Sequence, residues 1–258
     1  MRSATPEWRE EFKYWVDGDQ ARRIISAIKP FAAPDPHTDP SGEATYTVRS
    51  VYYDSPCFDF YHQKLDGLRF RKKLRVRSYG GSGLTPHLFL EIKHKRGRLV
   101  LKERAKLPSR LGLIALTTNA PSLLAGPDLP AGTIRVAGRF MWLTRQLALT
   151  PVILVAYDRT AYVDRSNADV RLTLDRKVRS LLRPAWEDLL DDADLQPCTN
   201  GHVILELKFS GRMPQWMRSL LREEGLMQRS ISKYCMSLES WMAHLRAPSA
   251  LPVSTAGD

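Results

Sequence analysis

The sequence has few cysteines, no long apolar run and, outside one block, no excess of charge. Cys57, Cys198 and Cys235 are odd in number and widely spaced, with no CxxC pair and no Cys/His cluster. That excludes a zinc ribbon and a disulfide framework, and leaves three ordinary buried or half-buried thiols. No apolar stretch approaches ~18 residues, so no helix is expected to span a membrane. The longest, Pro151-Val-Ile-Leu-Val-Ala-Tyr157, is the size of a strand. The first ten residues hold acids and no apolar stretch, which does not read as a secretory signal. The expected location is therefore the cytoplasm. With 258 residues, 43% of them hydrophobic, the chain can bury a core without staples, and disorder, collagen and coiled coil are excluded.

What is present is a concentrated positive field. The formal net charge is +11. Residues 64–110 hold fifteen Lys and Arg against three acids, Asp66, Glu91 and Glu103; the rest of the chain nearly balances, with 24 bases against 25 acids. A block of this kind implies an anionic partner.

The spacing inside the block is informative. Arg69, Arg71, Lys73, Arg75 and Arg77 recur every second residue. On a strand they share one face, opposite Phe70, Lys72, Leu74, Val76 and Ser78. A second strand sets Phe89, Glu91, Lys93 and Lys95 against Leu88, Leu90, Ile92 and His94; a third brings Lys102 and Arg104 together. One such strand is an ordinary solvated face. Several, with few acids nearby, repel one another and point to a polyanion site.

The rest reads as strand-dominated α+β. A strand is expected over residues 8–16, then a helix over 20–28 capped by Asp17 or Asp19. Residues 32–42 read as a loop, 46–53 as a strand, and the Gly-rich run 80–83 as a break. Pro and Gly mark 121–132 as irregular, and apolar spacing predicts a helix over 135–149. Strands are expected at 152–162, 170–175 and 202–209, a helix from Pro214 to Glu224, and a last helix capped by Ser230 and running to Arg246. The late strands repeat the one-sided charge. Arg171, Thr173 and Asp175 oppose Leu172 and Leu174; Ile204, Glu206 and Lys208 oppose Val203, Leu205 and Leu207. Residues 1–246 are expected to form one domain and 247–258 a disordered tail. A sheet that packs its apolar face outward on helices can bring its polar face inside by closing into a barrel.

Nine segments in order give a family resemblance: Arg9-Glu-Glu-Phe-Lys-Tyr-Trp15, Val48-Arg-Ser-Val-Tyr-Tyr-Asp54, Leu74-Arg-Val-Arg-Ser-Tyr-Gly80, Leu90-Glu-Ile-Lys93, Val100-Leu-Lys-Glu-Arg104, Tyr157-Asp-Arg-Thr-Ala-Tyr162, Val170-Arg-Leu-Thr-Leu-Asp175, Leu205-Glu-Leu-Lys-Phe209 and Ser232-Lys-Tyr234. Over about residues 7–240 the chain resembles the VTC-type polyphosphate polymerase domain, a branch of the triphosphate tunnel (CYTH-like) superfamily. The resemblance implies an antiparallel closed β-barrel with flanking helices, its tunnel lined by Lys and Arg. It implies an ATP-polyphosphate phosphotransferase that moves the terminal phosphate of ATP onto a growing polyphosphate chain with Mn2+ or Mg2+. Carried over by position, Lys13, Arg75, Arg77, Lys93, Arg171 and Lys233 form the catalytic set. Lys102, Arg104, Arg159 and Lys208 would bind the substrate chain, joined by Arg71 and Lys73, and Glu206 would hold the metal.

One departure matters. Hydrolytic tunnel relatives open with Glu-x-Glu-x-Lys, and here Arg9 takes the first position. That removes a carboxylate and weakens the expectation of metal-dependent triphosphate hydrolysis. Fused membrane helices are not seen, so the resemblance is to a stand-alone, bacterial-type form, with membrane association only through an unknown partner. Competing readings are a tri- or polyphosphatase in the same tunnel, a non-catalytic polyphosphate or nucleotide sensor, and a nucleic-acid binder. The last is disfavoured because the cations alternate with core residues on strands. Taken singly, the Glu-x-Lys pairs Glu11/Lys13, Glu91/Lys93 and Glu206/Lys208 read as simple ion pairs. Tyr52, Tyr53, Trp15 and Trp142 read as core, His94 as facing away from the tunnel, Lys95, Arg96 and Arg98 as a solvated hairpin turn, and Arg179 and Arg183 as surface.

Overall fold

The protein is described by a computed structural model covering residues 8–35, 45–80, 87–124 and 128–246. Alternating sequence patterns become strands that share one antiparallel sheet. β1 (Arg9–Val16) leads into α1 (Gly18–Ile28), which starts where Asp17 accepts from the Gln20 amide at 2.7 Å and Gln20 reaches back to the Asp17 amide. After the short β2 (Ala32–Pro34) come β3 (Thr45–Asp54), α2 (Asp59–Leu65), and the basic strands β4 (Phe70–Tyr79), β5 (His87–Arg96) and β6 (Leu99–Pro108). The tight β5–β6 turn uses Gly97 at φ 59°, a conformation that favours glycine. α3 (Ser109–Thr117) and α4 (Ala131–Gln146) follow, then β7 (Thr150–Asp164), β8 (Arg171–Leu182), β9 (Gln196–Pro197), β10 (Val203–Phe209), α5 (Gln215–Glu223) and α6 (Lys233–Arg246).

β7 pairs with both β3 and β8. This closes β7-β3-β4-β5-β6-β1-β10-β8 into an eight-stranded antiparallel barrel, with β2 and β9 added at its side. Strand side chains alternate, so the apolar set faces out and is covered by helices. Leu74, Val76, Leu90, Ile92 and Leu107 pack under α4, through Val136, Ala137 and Phe140. Leu172, Leu174, Leu205 and Leu207 pack under α1 and α5, through Ile24, Ile28, Met217 and Leu220. A third cluster lies at one end of the barrel, where Ile204, Tyr52 and Tyr157 meet Tyr234, Cys235 and Leu238 of α6.

Several expectations change in detail. Residues 32–34 form β2, which pairs with the end of β7. Residues 121–124 form a 3-10 turn. β8 runs on to Leu182 because its second half pairs with β7 beyond a bulge. The last helix is capped by Ser232, whose hydroxyl accepts from the Cys235 amide at 3.2 Å, rather than by Ser230. Arg69 precedes β4 and is exposed, so four of the five alternating cations belong to the strand. Trp142 is 56% exposed on α4 and is not core. Cys57 is exposed, unlike the other two thiols. Most of the Gly-rich break and the expected tail lie outside the described residues.

Candidate functional site

The strand registers bring the charged alternation together. Across β4, β5 and β6, Lys73, Lys93 and Lys102 form one row and Arg75, Glu91 and Arg104 the next. Across β1, β10 and β8, Lys13, Glu206 and Thr173 are neighbours, as are Glu11, Lys208 and Arg171. Arg159 of β7 stands beside Asp175 of β8, and α6 inserts Lys233 next to the same carboxylate. Ten basic side chains (Lys13, Lys73, Arg75, Arg77, Lys93, Lys102, Arg104, Arg159, Lys208 and Lys233) thus share a lumen with four carboxylates, Glu11, Glu91, Asp175 and Glu206, a formal excess of six positive charges among these named groups.

Three carboxylates act as hubs. Glu91, fully buried, accepts from Arg75 at 2.7 Å and Arg104 at 2.7 Å, with Lys102 at 3.3 Å and Arg77 at 3.8 Å. Burial would raise its pKa, but these cations hold it well below the carboxylate range. Asp175, also fully buried, accepts from Arg159 at 2.6 and 2.8 Å and from Lys233, and is likewise lowered against its burial. Glu11 lies against Lys93 and, at 3.6 Å, against Lys13; it too is held low. Glu206 is bound more loosely. Its oxygens stand 3.4 Å from Lys208 and 3.5 Å from Arg159.

The lysines carry the opposite signature. Burial, only partly offset by Glu11, brings Lys93 down to about 8. Burial and the Arg159 charge bring Lys208 down to about 8. Lys13 falls well below its usual value and Lys73 falls as well, burial being the largest cause in each. A lysine so depressed sits where more positive charge is unwelcome, and an incoming anion relieves it. Phenols also serve the lumen. The Tyr52 hydroxyl accepts from Arg75 at 3.0 Å, that of Tyr157 from Arg77 at 3.2 Å, and that of Tyr79 from Arg104 at 2.6 Å. Burial opposes ionisation of Tyr52, yet Arg75 and Arg77 bring it down to about 8.

The sequence-predicted residues largely converge. Lys13, Lys73, Arg75, Arg77, Lys93, Lys102, Arg104, Arg159, Lys208, Lys233 and Glu206 share the lumen. Arg171 faces the same way but stands at its rim, 39% exposed and 3.1 Å from Asp35. Arg71 is half-buried near the start of β4, with its guanidinium on the Lys64 carbonyl. The simple Glu91–Lys93 pair does not form: Glu91 is taken up by Arg75, Arg104 and Lys102, and Lys93 reaches past β6 to Glu11 of β1 instead. Lys95 belongs to β5 on the lumen face, while Arg96 and Arg98 flank the turn. Arg179 is not plain surface; it bridges Asp158 and Asp192. Tyr52 is buried as expected, but it serves Arg75 as well as the core. His94 faces outward against Glu103 at 2.7 Å, as alternation requires. Sequence reasoning missed Glu91 and Asp175 as hubs and Tyr79 and Tyr157 as acceptors. Their lumen parity was the available signal. A groove of about 490 Å3 between α1 and α5, lined by Ile28, Phe31, Trp216 and Leu220, lies outside the barrel, away from this charge.

The VTC domain model matches residues 8–242. The chain belongs to the VTC domain family. Among solved structures, a Hippeastrum protein described as a putative adenylyl cyclase with a dominant triphosphatase activity is 13% identical, over 91% of this chain and 96% of that one, with a TM-score of 0.51. A putative adenylate cyclase from Bacillus halodurans is 16% identical over 87% of this chain and 95% of that one, with a TM-score of 0.47. The first likeness agrees with the barrel seen here. Within the VTC family, the fold is that of a triphosphate-tunnel protein, its closed antiparallel barrel flanked by helices. No helix among the described residues is long and apolar enough to cross a membrane.

Proposed function

We propose that this VTC domain is a polyphosphate polymerase that transfers the terminal phosphate of ATP to a growing polyphosphate chain inside the barrel. The observation that carries this reading is the formal surplus of basic over acidic side chains, ten against four, held inside the closed barrel. Such a lining fits a linear polyanion. Phosphoryl transfer requires in-line positioning and cancellation of charge on the transferred oxygens, with little covalent help. Arg75, Arg77 and Arg159 can grip phosphate oxygens in pairs, and Lys13, Lys93, Lys208 and Lys233 supply point charges between them. The acids hold these cations in place: each hub fixes two or more side chains before substrate arrives, so little ordering remains for the reaction.

The donor set fits a hard divalent ion at one point. Glu206 is the lumen carboxylate with the longest ion pairs, so its oxygens are the least committed. No group of three His, Cys, Asp or Glu side chains suited to a metal occurs among the described residues. Phosphate oxygens and water would therefore complete the coordination of Mn2+ or Mg2+. When bound, the ion would neutralise charge on the phosphates. Arg9, at the position where the hydrolytic relatives carry a carboxylate, pairs with Asp169 at 3.0 Å. The test is a gel of the products formed from ATP and Mn2+, beside Arg75→Ala. Polymer longer than triphosphate, absent in the variant, is expected. ATP left intact across metals and pH refutes polymerase and hydrolase together, and orthophosphate without chain growth selects hydrolysis.

A further inference from the structure

We propose that Tyr46, Tyr79 and Phe89 form a stacking platform for the base of a nucleoside triphosphate at one mouth of the lumen. This rests on the reading above, that the lumen takes the phosphates. The three residues come from strand ends that meet at one end of the barrel: Tyr46 is second in β3, Tyr79 last in β4 and Phe89 third in β5. β4 links them, since Tyr79 pairs with Val48 of β3 and Arg77 pairs with Phe89 of β5. Tyr79 has the parity of Arg75 and Arg77, and Phe89 that of Glu91 and Lys93, so both rings belong to the lumen face. Tyr46 has the parity of Ser50, whose hydroxyl accepts from Arg77 at 3.1 Å. The rings are neighbours, with centroids 6.0 Å apart and planes inclined by 56° for Tyr46 and Tyr79, and 5.3 Å apart and inclined by 78° for Tyr79 and Phe89, so a base can lie flat on one ring with the next against its edge.

Their setting changes from charge to aromatic along the barrel. One step inward along β4 and β5 lie Arg77 and Glu91, and Arg159 of β7 is the cross-strand partner of Tyr46. Arg104 bridges the two zones, hydrogen-bonded to Glu91 while its guanidinium lies 4.5 Å from the Phe89 centroid and 5.7 Å from that of Tyr79. All three rings are half-buried, whereas Tyr157, deeper in the lumen, is 1% exposed. Phosphate does not explain this lining. A ring face carries the negative side of the aromatic quadrupole and gains nothing from an anion. A nucleobase, neutral and flat, gains from both the rings and the guanidinium plane. A ligand with a triphosphate at one end and a base at the other matches the sequence of surfaces. Among the described residues the platform offers ring faces, so it discriminates by stacking area, purine over pyrimidine.

The experiment is metal-free calorimetry on the whole chain with ATP, CTP and inorganic triphosphate, for wild type, Tyr46→Leu and Phe89→Leu, with thermal melts confirming folding. The expected result is ATP bound more tightly than CTP by wild type. Each variant then loses roughly tenfold in ATP affinity while triphosphate affinity stays within about threefold. A triphosphate carrying the fluorescent base 2-aminopurine should be quenched on binding to wild type and less so in Phe89→Leu. The platform is refuted if triphosphate binds but neither variant weakens ATP, or if ATP and triphosphate weaken together, which would mean that the rings only prop the arginines. Failure of triphosphate itself to bind wild type refutes the phosphate-binding lumen and the platform with it.

Discussion

Binding of a nucleoside triphosphate should draw protons into the lumen. Lys93 and Lys208 are each near pKa 8, their side chains 27% and 28% exposed, because burial and like charges outweigh the carboxylates beside them. A bound phosphate chain adds the counter-charge they lack and returns their pKa towards the ordinary lysine value of about 10.4. At pH 8 each is about half protonated when free and nearly fully protonated when bound, so the two together take up about one proton. Tyr52, also brought down to about 8, would regain a proton in the same direction. Lys102 adds little, since its side chain is 41% exposed and water screens it. The terminal phosphate of the nucleotide is already ionised at pH 8, and the lowered Glu11 and Glu91 carboxylates do not titrate there. The assay is metal-free calorimetry at pH 8 in two buffers of different ionisation enthalpy. The dependence of the apparent enthalpy on the buffer gives the protons taken up. Affinity should then fall about tenfold or more between pH 8 and 9. Net proton release, or an affinity flat across that interval, refutes the reasoning that burial and neighbouring cations depress the lumen lysines and that bound phosphate restores them.

The same lysines make the substrate-free fold more stable in alkali. Their folded pKa values lie below the unfolded ones, so the penalty is complete below about pH 8 and gone above about 10.4; denaturant midpoints should rise across that window. Asp175→Asn should cost about 3–5 kcal/mol in urea unfolding, because it strands Arg159 and Lys233 in the interior, and added triphosphate should recover part of the loss. Asp17→Ala should cost about 1 kcal/mol through the lost cap of α1, without changing triphosphate affinity. His94→Gln should likewise leave triphosphate affinity unchanged, since the ring faces Glu103 outside the barrel; a tenfold loss would mean that the alternation of β5 had been misread.

Strand alternation made the lining legible before any coordinates. The period-2 runs 71–77, 91–95 and 171–175 place like residues on one face whatever the partners, because side chains of a strand must point to opposite sides. The helices that cover the barrel were legible where they carry their own apolar period and cap, as with Asp17 and α1. α2 was not. Its start is held by Asp54, at the end of β3, which accepts from the amides of Phe60 and Tyr61 at 2.9 and 3.0 Å and from the Tyr234 hydroxyl at 2.6 Å. A cap supplied from the preceding strand leaves no mark in the seven residues of the helix itself.

Local pattern therefore determined which side chains face inward, since that depends only on backbone parity. Which of those side chains meet was decided by closure. The pairing of β7 with β8 closes the ring and sets Arg159 beside Asp175, the pairing of β6 with both β5 and β1 brings Lys93 to Glu11, and the packing of α6 brings Lys233 to Asp175; the last two contacts span 82 and 58 residues. Register and barrel closure are non-local quantities, fixed by packing over the whole sheet, and no window of sequence contains them.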